Sequence, residues 1–326
     1  MRAIAELVAT LVRVRLLQRR FPFFVGWNLT FRCNLDCAYC GTAAARGAEL
    51  DTREVLEGLD ALWRLGARWV TFGGGEPLLR NDIGEILQHA RQKGYRTFLS
   101  TNGLLLPRKA NEVRGIHHVN LSLDGREDAH DSVRGRGAYA ATIEGIEFCK
   151  IEGIPVSLQC TLSAINLASV EDVANIAEQY HVPVMYQPAT QWLDSSTESN
   201  PIAPPVAEYR AAIQKVVELK KRGKPIRNSF TGLRHLACWP DPTGIWCGAG
   251  QLMCEVEPDG TLLACHQAQV GMFLRGEITR QDSLGERWEQ IAAPAKCRQC
   301  WCAPVVELAL LFSLRLEAVY NAVRTM

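Results

Sequence analysis

Val25-Gly-Trp-Asn-Leu-Thr-Phe-Arg-Cys-Asn-Leu-Asp-Cys-Ala-Tyr-Cys40 runs from an apolar, strand-like segment straight into three cysteines spaced C-x3-C-x2-C. Three thiols this close together suit a metal better than disulfides. Soft thiolates in a reducing compartment hold iron–sulfur clusters, and a [4Fe-4S] cube given only Cys33, Cys37 and Cys40 keeps one iron open to an exchangeable ligand. A structural zinc site calls for a fourth Cys or His nearby, and no His lies between Phe31 and Gly66. Three unrelated buried thiols are the remaining alternative.

Outward from that segment, short β-branched or aromatic runs alternate with helical patterns over residues 25 to 187, the signature of parallel strands joined by crossover helices. Six strands are expected, at Val25 to Phe31, Arg68 to Phe72, Tyr95 to Ser100, His118 to Leu123, Ile154 to Leu162 and Val182 to Gln187. Asp51-Thr-Arg-Glu54 and Asp82-Ile-Gly-Glu85 read as capping boxes, and Gly66 and Gly94 stand where helices should end. Six such units make an α/β fold, an open partial (β/α)6 TIM-like barrel whose chemistry belongs at the C-terminal ends of the strands. A further helix is expected from Val206 to Arg222, closed by a Gly/Lys/Pro break near Gly223. Four segments follow: an amphipathic helix within 1–22, the barrel core at 23–234, a small Cys-rich α+β domain at 235–302 and a C-terminal helix at 303–326.

Gly73-Gly-Gly-Glu-Pro77 follows the second expected strand. With the triplet and Tyr39 just before its last cysteine, it resembles the radical S-adenosylmethionine (SAM) superfamily. The resemblance implies that SAM chelates the open iron, and that an electron from the cluster cleaves its S–C5′ bond to a 5′-deoxyadenosyl radical that removes a substrate hydrogen. It further places Gly73, Gly74, Gly75 and Glu76 at the methionine moiety, Ser122 and Asp124 at the SAM carboxylate and ribose, and Tyr39 beside the adenine. Arg134 is expected to pair with the SAM carboxylate through a bidentate fork. Asn102 serves either SAM or its own turn. The residues alone leave other readings open: a strand-to-helix turn for the glycines, an exposed loop arginine for Arg134, a packed core aromatic for Tyr39.

A second cysteine set begins at Cys247, reaches Cys265 through hairpin-like Glu257-Pro-Asp-Gly260, and ends in Cys297-Arg-Gln-Cys300-Trp-Cys302. This order is similar to the SPASM/twitch extension of radical SAM enzymes, which implies at least one auxiliary [4Fe-4S] cluster on Cys247, Cys265, Cys297 and Cys300. Cys254 and Cys302 are further candidate ligands, Cys238 is left over, and a zinc knuckle made of the same thiols is the alternative. The full SPASM run is not present, since no cysteine follows Cys302. His266, directly after the hairpin cysteine, stands where sulfatase-maturating relatives place an acidic base and is a candidate catalytic proton acceptor. A surface histidine is its other reading. Cys149 and Cys160 read as buried small hydrophobes, and His117, His118, His130 and His235 as structural.

The 36 Lys and Arg against 35 Asp and Glu leave no global field, so nucleic acid finds no support. Twelve cysteines without a secretory signal point to the cytoplasm. Both terminal segments carry apolar faces, the first ringed by Arg2, Arg13, Arg15, Arg19 and Arg20, which suits packing on the barrel or a peripheral place on an anionic membrane. The resulting expectation is a radical SAM enzyme that oxidatively modifies a peptide or protein, served by a flavodoxin- or ferredoxin-like reductant. Dehydrogenation of a small alcohol or aminocyclitol, modification of a lipid-linked precursor, and a non-catalytic Fe–S carrier or scaffold are the alternatives.

Overall fold

The computed structural model describes residues 10, 19–41, 47–191, 199–241, 243–265, 283–291 and 300–319. Six parallel strands alternate with helices: β1 Phe24–Asn28, α1 Thr52–Leu65, β2 Trp69–Gly73, α2 Ile83–Lys93, β3 Arg96–Thr101, β4 His118–Ser122, α3 Glu127–Arg134, α4 Ala138–Ile151, β5 Val156–Leu162, α5 Val170–Gln179 and β6 Val184–Pro188. Then come α6 Val206–Lys221, α7 Phe230–Leu236, the hairpin strands β7 Met253–Val256 and β8 Leu262–Leu263, α8 Leu284–Gln290 and α9 Ala303–Phe312. The sheet runs β6-β5-β4-β3-β2-β1-β7-β8, and only the β7–β8 pair is antiparallel. It is therefore an open sheet, as expected for a partial barrel.

All six expected core strands form, though β1 stops at Asn28 because the chain beyond it leaves the ladder for the cysteine loop. Asp51 makes the expected reciprocal capping box with Glu54, and Gly66 and Gly94 close their helices with φ of 111° and 98°. The second expected box does not form. Asp82 makes no side-chain cap; its carboxylate binds Arg80 and accepts from the Thr52 hydroxyl at 2.7 Å.

Among its described residues, the Cys-rich segment adds its strands to the barrel sheet. Its hairpin, turning through Gly260 at φ 86°, adds β7 in parallel to the free edge of β1, pairing Val25 with Cys254 and Gly26 with Glu255. Along β1 and β2 buried and half-buried residues alternate: Val25, Trp27, Val70 and Phe72 face the helix layer, and Gly26, Asn28, Thr71 and Gly73 face the lumen.

An aromatic floor closes the lumen at the N-terminal ends of the strands. Phe24 meets Trp69 edge-on at 5.0 Å, Trp69 meets Phe98 at 5.5 Å, and Phe312 from α9 packs on Phe24 at 6.0 Å. Glu307 of α9 accepts from the Ser229 backbone N–H at 2.7 Å, fixing α9 against the start of α7. The described part of the C-terminal segment thus packs against the barrel. No helix among the described residues is long and apolar enough to cross a membrane.

Candidate active site

The cysteine loop leaves β1 at its C-terminal end and is held at its root by a carboxylate and a guanidinium. Glu49 accepts from the Thr30 hydroxyl at 2.6 Å and from Phe31 N–H at 2.9 Å. These bonds outweigh partial burial and keep its carboxyl below the ordinary range. Buried Arg80 donates to the carbonyls of Leu29 and Leu50, each at 3.0 Å, while its other nitrogens grip Asp82. Neither residue is flagged by any motif, because each acts on backbone that only the fold brings near it.

Gly73-Gly-Gly-Glu76 turns immediately beside this loop. Gly75 N–H donates to Thr30 C=O and Glu76 N–H to Arg32 C=O, both at 2.8 Å. A Cβ on Gly75 would lie 2.2 Å from the Arg32 carbonyl oxygen, and one on Gly74, whose φ is +109°, 2.7 Å from that of Thr30. Gly73 differs: its Cβ would meet nothing closer than Asn28 Oδ1 at 3.7 Å, and it faces the lumen. The second and third glycines are therefore needed for contact with the protein's own cysteine loop, a role the sequence reading did not foresee.

Glu76 is fully buried under that turn. Its carboxylate accepts from Thr101 Oγ1 at 2.8 Å, Asn102 N–H at 2.9 Å and Leu78 N–H at 3.1 Å, and burial pushes its pKa up to about 7 against these bonds. The Asn102 side chain in turn donates to Asn34 Oδ1 at 2.8 Å, inside the cysteine loop, and accepts from Leu104 N–H. Glu76 and Asn102 thus tie the ends of β2 and β3 to the triplet.

Asp124, just beyond β4, is the most heavily engaged side chain of the site. It is completely buried; Oδ1 accepts from Thr161 N–H at 2.8 Å, and Oδ2 from Arg134 Nε at 2.6 Å and Tyr39 OH at 3.0 Å. Its backbone is held too, the N–H by His130 Nδ1 at 3.0 Å and the carbonyl by Asn166 Nδ2 at 2.8 Å. Burial takes His130 down to about 4, which keeps it neutral and able to accept. Arg134 also donates to the Tyr39 hydroxyl and reaches Cys37 Sγ at 3.9 Å. Thr161, Asn166 and His130 were not singled out as site residues, and only the packing of β5 and α3 against β4 exposes their part. Ser122, at the end of β4, is half-buried on the lumen side.

Cys33, Cys37 and Cys40 are all partly accessible and lie within electrostatic reach of one another. Burial raises Cys37 to about 11, and the Arg134 charge works against that rise. Three accessible thiols on one loop, one beside a fixed cation, are a donor set suited to a cluster that carries negative charge.

In the second set, the charges felt by Cys300 come first from Cys302 and then from Cys247 and Cys265, so these four thiols share one region. Cys302 is also within reach of Glu255, on the lumen side of β7. Cys254 is placed apart: it pairs with Val25 on the helix-covered face and is wholly buried, and its thiol is raised by that burial. Among the described residues no three His, Cys, Asp or Glu side chains gather tightly enough to hold a single metal ion. Cys297 and His266 lie outside the described residues. Cys149 and Cys160 are fully buried, as expected. His235 stacks on Trp301 at 4.8 Å and bonds the Cys300 carbonyl at 2.6 Å, which anchors that cysteine's backbone.

The family model of the radical SAM superfamily matches residues 27–178. PqqA peptide cyclase of Ruegeria pomeroyi is 30% identical over 294 residues, covering 84% of this chain and 78% of its own length. The chain belongs to the radical SAM superfamily. Its cofactors are accordingly SAM and a [4Fe-4S] cluster. Mycofactocin maturase MftC of Mycobacterium ulcerans is 27% identical over 279 residues, 82% of this chain and 74% of that protein. Fe-coproporphyrin III synthase of Methanosarcina barkeri is 38% identical over 167 residues, but this chain spans only 42% of it. Among solved structures, Streptococcus suis SuiB bound to SAM superposes with a TM-score of 0.68 at 15% identity, covering 85% of this chain and 68% of that one. That likeness speaks for the fold alone.

Proposed function

We propose that this radical SAM enzyme oxidatively modifies a peptide or protein side chain, with Cys33, Cys37 and Cys40 holding the SAM-cleaving cluster. The observation that carries the reading is the joined architecture: a three-cysteine loop at the mouth of the barrel and a second group in which Cys247 and Cys265, flanking a hairpin added to the same sheet, lie in one region with Cys300 and Cys302 at the start of α9. Relatives named as a peptide cyclase and a maturase cover most of the chain. SAM held with that cluster would supply the hydrogen-abstracting radical chemistry. The chain's own residues then have definable tasks. Asp124, Glu76 and Asn102 fix the loop; the lumen side of β1 to β4, with Gly73 and Ser122, receives SAM; and the aromatic floor closes the far end against water. Cys247, Cys265, Cys300 and either Cys297 or Cys302 would hold a fully ligated auxiliary cluster, which would offer an acceptor for the electron lost when the substrate radical is oxidised, and a flavodoxin- or ferredoxin-like protein would be the reductant.

The test is anaerobic reconstitution of wild type beside a Cys33/Cys37/Cys40→Ala triple variant, followed by a dithionite-driven assay for 5′-deoxyadenosine and by incubation with short peptides encoded near the gene. About eight irons in wild type and about four in the variant, with SAM cleavage only in wild type, are expected from one cube at each site. Peptide mass unchanged under conditions of active SAM cleavage would refute the peptide reading and favour a small alcohol.

A further inference from the structure

We infer that His235 is a positioning residue of the auxiliary centre: it clamps the two separated halves of the second cysteine group together, so that the fold, and not the cluster, brings them into register. The halves are far apart in the chain. Cys247 follows the loop that leaves α7, whereas Cys300 comes 53 positions later, shortly before α9. His235, the last but one residue of α7 and only 5% exposed, touches both sides. Its Nε2 bonds the Cys300 carbonyl at 2.6 Å, and its ring lies stacked on Trp301 at 4.8 Å and 17°. Its Nδ1 bonds the hydroxyl of Thr243, four positions ahead of Cys247. A carbonyl only accepts, so Nε2 carries the proton and Nδ1 accepts from Thr243. Both ring nitrogens and one ring face are committed to this junction.

Each side of the clamp is tied to the barrel. Arg210 of α6 donates to the carbonyls of Cys238 and Trp239, both at 3.3 Å, and to Asp241 at 2.6 Å, which holds the loop that carries Thr243. On the other side, Ala303 N–H, directly after Cys302, donates to Gln187 Oε1 of β6 at 3.1 Å. Within this frame the Cys300 thiol stands within electrostatic reach of Cys302, Cys247 and Cys265. Bringing the ends of so long a segment together costs closure entropy, and a site whose halves are already docked does not draw on metal binding to meet that cost. The bond to the carbonyl fixes the Cys300 peptide plane, and with it the direction of the thiol. Outer partners of this kind are worth about 10–100-fold in metal affinity.

The test uses the full chain carrying Cys33/Cys37/Cys40→Ala, in which the iron retained, about four per chain, belongs to the second group. His235→Leu removes both hydrogen bonds and should speed iron loss to an anaerobic ferrous chelator about tenfold, with a changed EPR signal from the reduced cluster. His235→Gln keeps an N–H donor of similar reach for Cys300 and should release iron within about twofold of the parent rate. In the chain with its triplet intact, His235→Leu should leave the EPR signal that responds to SAM unchanged. That pattern supports the inference. A parent-like release rate and signal in His235→Leu would overturn it, and so would equal acceleration in His235→Gln, which assigns the effect to lost packing. Loss of the SAM-responsive signal together with the auxiliary one would also overturn it and make His235 a brace of the whole fold. Where His235→Leu does not fold, Thr243→Val takes its place: it should accelerate iron loss by a smaller factor, and a parent-like rate overturns the inference. The inference rests on the reading that the second group holds an auxiliary cluster. A triplet-free chain that retains no iron would overturn both, whereas one that retains about four irons and releases them at the same rate in His235→Leu and Thr243→Val would overturn this one alone.

Discussion

Replacing Gly75 with alanine should dislodge the cysteine loop, and the size of the effect can be worked from the contacts. The new Cβ would fall 2.2 Å from the Arg32 carbonyl oxygen, 2.7 Å from its carbon and 3.1 Å from the Phe31 oxygen. All three are backbone atoms, so no side chain can rotate away, and the two segments must separate by roughly 1 Å to restore ordinary contact. That separation breaks or stretches the Gly75-to-Thr30 and Glu76-to-Arg32 hydrogen bonds, each 2.8 Å long. Two backbone bonds at about 0.5–1.5 kcal/mol each, with about 1–3 kcal/mol of overpacking, give a loss of roughly 2–6 kcal/mol. At a urea slope of roughly 3 kcal/mol per M, a mid-range loss lowers the midpoint by about 1 M. The assay is urea unfolding followed by circular dichroism, with iron content measured in parallel. Gly73→Ala is the control: its Cβ meets nothing nearer than 3.7 Å, so stability and iron should persist while SAM affinity falls, because the methyl projects into the lumen. A Gly75→Ala protein with a wild-type midpoint and full iron would refute the reasoning.

Glu307 gives a pH prediction. Burial, opposed by bonds from Ser229, raises it from 4.5 to about 7 in the fold. An unfolded glutamate releases its proton near the lower value, so between the two the folded state holds more protons and stability falls as pH rises. Glu307→Gln should flatten that decline and be more stable than wild type at pH 7.5 by about 2–3 kcal/mol, read from urea midpoints at pH 5 and 7.5; a parallel decline in the variant would refute the assignment. Phe312→Ala removes the fully buried plug between Phe24 and Trp246 and should cost about 3–5 kcal/mol, seen as a fall in thermal midpoint; a loss below about 1 kcal/mol would show that α9 does not close the barrel floor. Cys300→Ala should lose the iron of the auxiliary cluster while Cys254→Ala keeps it, since Cys254 faces the helix layer; iron loss in Cys254→Ala alone would reverse the placement.

Much of this protein was determined by local sequence. Strand-helix alternation, the Asp51 cap, the left-handed glycines at 66 and 94, and the turn at Gly260 depend on neighbours within a few residues, and for that reason they could be read directly. The cysteine spacing and the glycine run likewise revealed the superfamily, because the chemistry demands those residues in that order. Tertiary structure decided the rest. Asp82 abandoned its expected cap because Arg80, which bridges segments 29 and 50, offered a stronger partner. The Cys-rich hairpin joined the barrel sheet because β1 had an unpaired edge. Asp124 acquired Thr161, Asn166, His130 and Arg134 from β5, the segment that follows it, and α3, six to forty-two positions away along the chain. A buried carboxylate must find its donors wherever the fold delivers them; periodicity and motif carry no record of contacts made across that distance.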